Sequence, residues 1–375
     1  MSKNYYSLGL MSGTSMDGVD VSIIKSDGDI EFKGIFNKYF EYNDDFSKKF
    51  LKIRDKINNT KDLNLYSKEL NNIEKEITLF HAKVTNEAIK EVNSNIDIIG
   101  FHGQTIFHSA KEMVSKQLGD GKLLSQQTKK KVIYDFRQND LKNGGEGAPL
   151  APIFHKLISE KIKVEPPLCV INLGGIANIT SIESGEISDL GSQDIGPGNC
   201  LIDEWIKKNT NKKYDKDGLI AKSGKKDILI LNQALDNHDN LKKKNILSYD
   251  TKDFDLSFVR GLSLEDGAAT LTEFTGKLLA EATLNYISKL KTKPKKILVC
   301  GGGRKNSTLI NCLKDNMNIG NLVENIDNFG VDGDFIESQA FAYLAIRSFL
   351  NLPISFPKTT GCKHPSTGGK LVKNF

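Results

Sequence analysis

Residues 9–20 read Gly9-Leu10-Met11-Ser12-Gly13-Thr14-Ser15-Met16-Asp17-Gly18-Val19-Asp20. This hydroxyl-rich, glycine-bearing stretch lies between two apolar, β-prone runs, Ser7 to Met11 and Val19 to Ile24, and predicts a hairpin with a glycine-rich tip. Cys169 to Leu173 and Ile176 to Ile182 repeat the pattern around Gly174-Gly175. Two such hairpins about half a chain apart predict two lobes of related construction.

The segments around them keep an α/β rhythm. From Asp62 onward, Ile73, Ile77, Phe80, Val84, Ala88 and Val92 recur at steps of three and four, which predicts an amphipathic helix. Ile96 to Phe101 reads as a buried strand that runs into His102-Gly103-Gln104-Thr105. Val132 to Tyr134 reads as another, opening onto Asp135 to Asp140, then Gly144-Gly145-Glu146-Gly147 and a helix begun by Pro149 that runs through Ile158. Strand, polar tip and helix in succession place polar groups at strand ends. Further on, helices are expected at about Leu264 to Leu290, Thr308 to Asn316 and Phe335 to Leu350. The strand Ile297 to Cys300 ends in Gly301-Gly302-Gly303, and a tail rich in Pro, Gly and Thr closes the chain. The first lobe is expected to hold residues 1–140 plus about 340–375, and the second residues 141–339.

Composition narrows the class. The chain has 375 residues, 38% of them hydrophobic and 26% charged, which fits a two-lobed globular protein and excludes wholesale disorder. The net charge of +5 is small for this length, and the lysine runs at 129–131, 242–244 and 295–296 carry no interleaved aromatics, so they predict solvated faces and no nucleic acid partner. Five widely spaced cysteines with no C-x-x-C pair predict reduced thiols in a cytoplasmic protein. The opening residues hold no apolar signal core, and no run is long enough to cross a bilayer, so secretion and membrane insertion are not expected.

Several loops could carry chemistry. Gly13 and Gly18 let backbone amides approach an anion, with hydroxyls on Ser12, Thr14 and Ser15 to help; the competing reading is a plain Asp17-Gly18 turn. Gly301 to Gly303 offers bare backbone to a nucleotide at the following helix, or merely packs helix on strand. Asp194-Ile195-Gly196-Pro197-Gly198-Asn199 sets one carboxylate before a helix at Cys200 to Lys208, as a reactive group or as a cap. Walker and dinucleotide fingerprints are absent, Asn306 standing where the last glycine of the latter should be. His102 and His108 lack the spacing of a zinc site, and no nucleophile elbow is present. Acid–base work on a bound phosphate donor is the chemistry that is left.

Taken together, residues 9–20, Gly100-Phe101-His102-Gly103-Gln104-Thr105, Val170 to Ile179 and the Asp194 motif resemble one family, the anhydro-N-acetylmuramic acid kinases of bacterial wall recycling, within the superfamily of actin, sugar kinases and the seventy-kilodalton chaperones. The likeness continues through Cys300-Gly301-Gly302-Gly303 and Glu337-Ser338-Gln339-Ala340-Phe341-Ala342. It implies a two-lobed, actin-like (ribonuclease H-like) α/β ATPase fold with a five-stranded sheet in each lobe and an ATP cleft between them. It also implies ATP and Mg²⁺ as cofactors, and a reaction in which water opens the 1,6-anhydro bridge of the sugar while O6 takes the γ-phosphate. Carried over by motif, Gly13, Thr14, Ser15, Met16, Asp17, Gly18, Val19 and Asp20 form one phosphate loop, and Leu173, Gly174 and Gly175 the second phosphate contact. Gly301, Gly302 and Gly303 would lie beside the adenosine, Asp194 would be the catalytic base, and Glu337 an acidic group near the sugar. The polar tips His102, Gln104, Arg137 and Asp140, with Asn199, would contact the sugar. Ile195 stands where the family commonly has Thr, and Met16 is an apolar residue of the accepted kind. A homodimer is what the resemblance suggests. Two other classes fit the loops: another sugar kinase or polyphosphate hydrolase of the superfamily, and a non-catalytic ATP-gated binding protein. The retained Asp194 motif and polar tips favour a small polar substrate over a protein partner.

Overall fold

Alternating and fully apolar runs become strands because each buries at least one face. In β1 (Tyr5–Met11) Leu8 and Leu10 are buried, and in β8 (Leu168–Leu173) all six residues are. The structure, a computed structural model, describes residues 3–13, 15–242, 249 and 251–375, residues 239–242 by their backbone alone. The remaining strands are β2 (Gly18–Ser26), β3 (Phe32–Glu41), β4 (Ile98–Phe101), β5 (Gln104–Ser109), β6 (Val114–Leu118), β7 (Lys131–Tyr134), β9 (Ile176–Ile182), β10 (Leu190–Pro197), β11 (Lys296–Cys300), β12 (Val323–Asn325) and β13 (Lys370–Val372).

The chain divides into two units, Met1–Lys163 with Phe335–Phe375, and Val164–Asp334. In the first, the sheet order is β13-β7-β4-β1-β2-β3; in the second it is β10-β9-β8-β11-β12. Leaving β13 aside, the two are the same design. A central strand (β1 or β8) pairs antiparallel with its hairpin mate, which pairs antiparallel with a third strand, while on its other side two strands run parallel to it. This is the related construction that the two hairpins predict, and it is the actin-like α/β fold. The sixth strand of the first sheet comes from the tail, whose Lys370, Leu371 and Val372 pair antiparallel with Tyr134, Ile133 and Val132. The hairpin β5-β6 is an insertion after β4.

The unit boundary expected near Asp140 falls at Lys163, and the return expected near residue 340 falls at Phe335. Packing accounts for both. The helix Pro152–Lys161, which starts at Pro152 and not at Pro149, buries Ile153, Phe154, Leu157 and Ile158, and the Phe154 ring meets Phe32 and Tyr343 of the first unit. The helix Ile336–Phe349 crosses that unit's sheet at two facing glycines. Gly9 and Gly100 are register partners in β1 and β4, and a Cβ on Gly9 would run into the Ser338 carbonyl and come 2.6 Å from the Ala342 nitrogen, while one on Gly100 would run into the Phe341 carbonyl. Bare strand backbone thus lets the helix sit directly on the sheet.

Candidate functional site

In the first unit the β1–β2 tip is held from outside by side chains. Gln104 Nε2 donates to the Gly13 carbonyl at 3.0 Å, Ser47 Oγ to the Met16 carbonyl at 2.8 Å, and Ser12 Oγ to the Gly18 carbonyl at 2.9 Å. The amide of Tyr42 donates to Asp17 O at 3.0 Å. Four loop carbonyls are thus tied back, and the Met16 amide closes the tip onto the Gly13 carbonyl at 3.2 Å. Ser12 is buried in this role, so its hydroxyl serves the loop's own frame; Ser15 is exposed, Asp17 and Asp20 are partly exposed, Met16 and Val19 are fully buried, and Thr14 lies outside the described residues. Met16 takes a left-handed backbone (φ 57°) at the turn, which sequence alone gave no reason to expect of a methionine.

The polar tips of β4 and β7 meet in the same unit. His102 is buried, with Nδ1 2.9 Å from the Gly103 carbonyl, and its Nε2 accepts from Arg137 Nε (3.2 Å) and Nη2 (2.9 Å). Burial, and then the Arg137 charge, hold its pKa well below the usual histidine value, so the ring is the neutral Nδ1–H tautomer that such an acceptor role requires. Arg137 Nη1 donates to the Gly147 carbonyl at 2.9 Å. Asp140 lies inside: its Oδ2 accepts from the Gly147 amide (2.7 Å), and its Oδ1 from Ser355 (2.5 Å) and Thr360 (2.7 Å) hydroxyls. That carboxylate is a strut between the 144–147 loop and the tail. Glu337 is partly buried in the first turn of the helix Ile336–Phe349.

In the second unit, the tip of β8–β9 fastens the entry to the helix Cys200–Asn209. The amides of Gly198 and Asn199 donate to the carbonyls of Gly175 (2.9 Å) and Gly174 (2.8 Å), and the N-cap position of the helix is Asn199, not Asp194. Asp194 stands at a bulge of β10, where the register against β9 shifts between Asp194 and Gly196. Ile195 is buried there, while Asp194 is partly exposed and its Oδ2 accepts from the Tyr249 amide at 3.2 Å. Gly301 to Gly303 close against the same region: a Cβ on Gly301 would meet Asn172 and the Leu173 carbonyl, and one on Gly303 would meet Leu173 Cβ at 2.7 Å and Asn199 Oδ1 at 2.8 Å. Leu173, Asn199 and the triple glycine are therefore one cluster. A 3-10 turn, Gly302–Lys305, separates them from the helix Ser307–Asp315, which Asn306 caps, so the glycines do not open that helix as expected. Arg304, overlooked in the sequence, anchors the turn. It donates to the Gly301 carbonyl at 3.1 Å and pairs with Asp327 (2.9 Å), Asp332 (3.3 Å) and Asp334. Burial would raise the Asp334 carboxyl, but hydrogen bonds from Arg304 and Lys305 outweigh it and hold it below its ordinary value.

The glycines separate into two kinds. Gly9, Gly18, Gly100, Gly198, Gly301 and Gly303 have no room for a Cβ. At Gly13 the nearest atom to such a Cβ is Ser15 Oγ at 3.9 Å, at Gly174 it is the Ile176 carbonyl at 3.5 Å, and at Gly302 it is Asn199 Nδ2 at 4.0 Å, with no positive φ at any of the three. Neither packing nor backbone conformation requires glycine there, nor at Gly34 and Gly185 outside the motifs.

Three thiols are held in the protonated form. Burial pushes Cys169, Cys200 and Cys312 each up to about 12. Among the described residues no three His, Cys, Asp or Glu side chains are grouped to hold a metal, and no helix is long and apolar enough to cross a membrane.

A family model described as anhydro-N-acetylmuramic acid kinase matches residues 5–374. A protein of that description from Pelagibacter ubique (strain HTCC1062) is 55% identical over 375 residues, covering 100% of both chains. One from Zymomonas mobilis subsp. mobilis is 42% identical, covering 97% of this chain and 98% of its own. Among solved structures, an activator of the 2-hydroxyisocaproyl-CoA dehydratase from Clostridium difficile matches at TM-score 0.43 and 10% identity, over 92% of this chain and 96% of that one. A ROK family glucokinase from Streptomyces griseus matches at TM-score 0.41 and 12% identity, over 91% and 99%.

Proposed function

Because this chain belongs to the anhydro-N-acetylmuramic acid kinase family, we propose that its two glycine-tipped hairpins hold the phosphates of ATP and that Asp194 is the base that acts on the sugar. The enzyme is a kinase with an alcohol group as acceptor. Its reaction opens 1,6-anhydro-N-acetylmuramic acid with water and phosphorylates O6, giving N-acetylmuramic acid 6-phosphate and ADP in peptidoglycan recycling.

The observation that carries the residue assignment is that the motif glycines Gly13, Gly174 and Gly302 are not needed by the fold, a freedom shared outside the motifs by Gly34 and Gly185. The first two belong to the proposed phosphate hairpins and the third to the proposed adenosine turn, which Arg304 holds rigid. Mg²⁺ suits a carboxylate that can bind it through water; Asp17, partly exposed at the end of the loop, would be that group, and the ion would offset phosphate charge.

Asp194 would take a proton from the water that attacks C1. The departing O6 then becomes the acceptor of the γ-phosphoryl group, so ring opening and phosphorylation belong to one event. At the bulge this carboxylate is partly exposed while Ile195 anchors the strand, and the Tyr249 amide donates to one of its oxygens. Neutral His102 orients the Arg137 guanidinium toward the sugar, Gln104 steadies Gly13, and Asn199 and Glu337 are the further sugar-side groups. Asp140 acts by positioning the 144–147 loop.

The test is incubation with ATP, Mg²⁺ and a panel of sugars, following ADP. Turnover with the anhydro sugar well above that with glucose, glycerol or N-acetylmuramic acid is expected; comparable rates would make the protein a plain sugar kinase.

A further inference from the structure

The loop Gly144-Gly145-Glu146-Gly147 has one side chain, and everything around it is fastened. The Gly144 amide donates to the Leu141 carbonyl (3.0 Å), the Gly145 amide to the Asp140 carbonyl (2.9 Å) and the Glu146 amide to the Thr360 carbonyl (2.8 Å). Gly147 gives its amide to the Asp140 carboxylate and its carbonyl to Arg137. A Cβ at Gly145 would lie 2.7 Å from Asp140 Cγ, so the loop is seated directly on that carboxylate. The same Arg137 is bound to His102, which ties the loop to the polar tip of β4.

Within this frame the Glu146 side chain is half-buried, and no hydrogen bond from a described residue reaches its carboxylate. The charged groups about the loop are Asp140, Arg137 and Lys363, whose stem lies 3.5 Å from a Cβ placed on Gly144. Burial, and behind it the Asp140 charge, raise the Glu146 carboxyl above its usual range. An acceptor-only group half removed from water beside a second carboxylate is costly unless a donor meets it. Five hydrogen bonds that hold the loop still, with one acid at its centre that no described residue donates to, are the arrangement of a preorganised acceptor.

We infer that Glu146 is a recognition residue for the sugar, accepting hydrogen bonds from its hydroxyl or amide N–H donors. This rests on the anhydro-sugar kinase reading and adds to it a contact that none of the motifs assigned. Removing the acceptor weakens sugar binding and leaves the nucleotide untouched.

Steady-state kinetics of the full chain, with the anhydro sugar and ATP varied separately, test it. Glu146→Ala should raise the KM for sugar about 10- to 100-fold. Glu146→Gln, which keeps the shape and one acceptor oxygen, should raise it several-fold, and the KM for ATP should stay within about two-fold in both. Sugar KM values within about two-fold of wild type, or ATP and sugar KM values rising together, would overturn the inference. Should the alanine variant fail to fold, the same limits on Glu146→Gln decide it. A wild-type protein that releases no ADP with the anhydro sugar overturns the kinase reading itself, whereas an active wild type with indifferent variants overturns Glu146 alone.

Discussion

Two sets of glycines in this molecule should respond to the same substitution in opposite ways. At Gly9 a methyl group would collide with the Ser338 carbonyl and lie 2.6 Å from the Ala342 nitrogen, and both atoms belong to the backbone of a buried helix. Neither can withdraw without lifting the helix Ile336–Phe349 from the sheet. Overpacking usually costs about 1–3 kcal/mol, and a clash with main chain belongs at the upper end, so Gly9→Ala should lower the melting temperature by roughly 10 °C. At Gly13 the same methyl meets nothing nearer than 3.9 Å. Its effect on stability should stay within about 1 kcal/mol of zero, with a gain from the stiffer unfolded chain as the expected direction. Its effect on turnover should be large, because the methyl would stand where the phosphates approach the amides; loss of such donors costs about 10²- to 10³-fold. Thermal melting and ADP release measured on both variants separate the two effects. A Gly13→Ala protein that melts and turns over like wild type would refute the ligand reading of that glycine. A Gly9→Ala protein of undiminished stability would refute the packing.

Asp194→Asn should keep its hydrogen bond from the Tyr249 amide and bind ATP, yet lose about 10²- to 10⁴-fold in turnover; in heavy-oxygen water the wild-type product should carry label at C1 and none in the phosphate, and label in the phosphate counts against the mechanism. Ser47→Ala releases the carbonyl of left-handed Met16 and should raise the KM for ATP several-fold with the sugar KM unchanged; equal changes in both would mean a general loosening. His81 and His155 are fully buried, and burial lowers each pKa to about 4, so the unfolded chain binds their protons near pH 6.5 and the folded one does not. Their stabilising effect is complete above pH 6.5 and declines as pH falls toward 4, by about 2 kcal/mol per ring between pH 7.5 and 5. Urea unfolding of the wild type and His155→Leu across that range should show a shallower decline in the variant, and parallel declines would remove His155 from the account.

The two hairpins were legible because their information is local: β-branched runs on either side of glycines say strand, tip, strand without help from elsewhere. The same holds for the helix Ser67–Val92, whose apolar stripe is unbroken. Strand β3 was not legible, since Lys33, Gly34, Asn37 and Lys38 interrupt the apolar residues of Phe32–Glu41 and only its register against β2 makes it a strand. Asp140 illustrates why sites are harder than folds. From sequence it is a polar residue at a strand tip, but its partners Ser355 and Thr360 lie more than two hundred residues away, and they decide that it points inward. Ser47 gave no sign either, because a serine in the helix Asp44–Arg54 reads as solvated surface until the loop it holds is in place. Gly18 reads from sequence as part of the phosphate loop, and only the Tyr39 ring beside it shows that it also makes room for protein, as Gly9 does under the helix above it.

The first unit is built from two separated stretches, and the helix seated on Gly9 and Gly100 comes from the later one. During synthesis the whole of residues 164–334 is made before that helix exists. The second unit is one continuous stretch with its complete sheet, and it can reach its native pairing as an uninterrupted nested segment. Until that helix is made, the glycine-floored face of the first sheet, with Ile98 beside Gly100, lacks its cover, because Ile336, Phe341 and Leu344 are not yet delivered. The chain order therefore lets the inserted unit close first, whereas the N-terminal sheet, though translated earliest, can be sealed only by the segment that follows it.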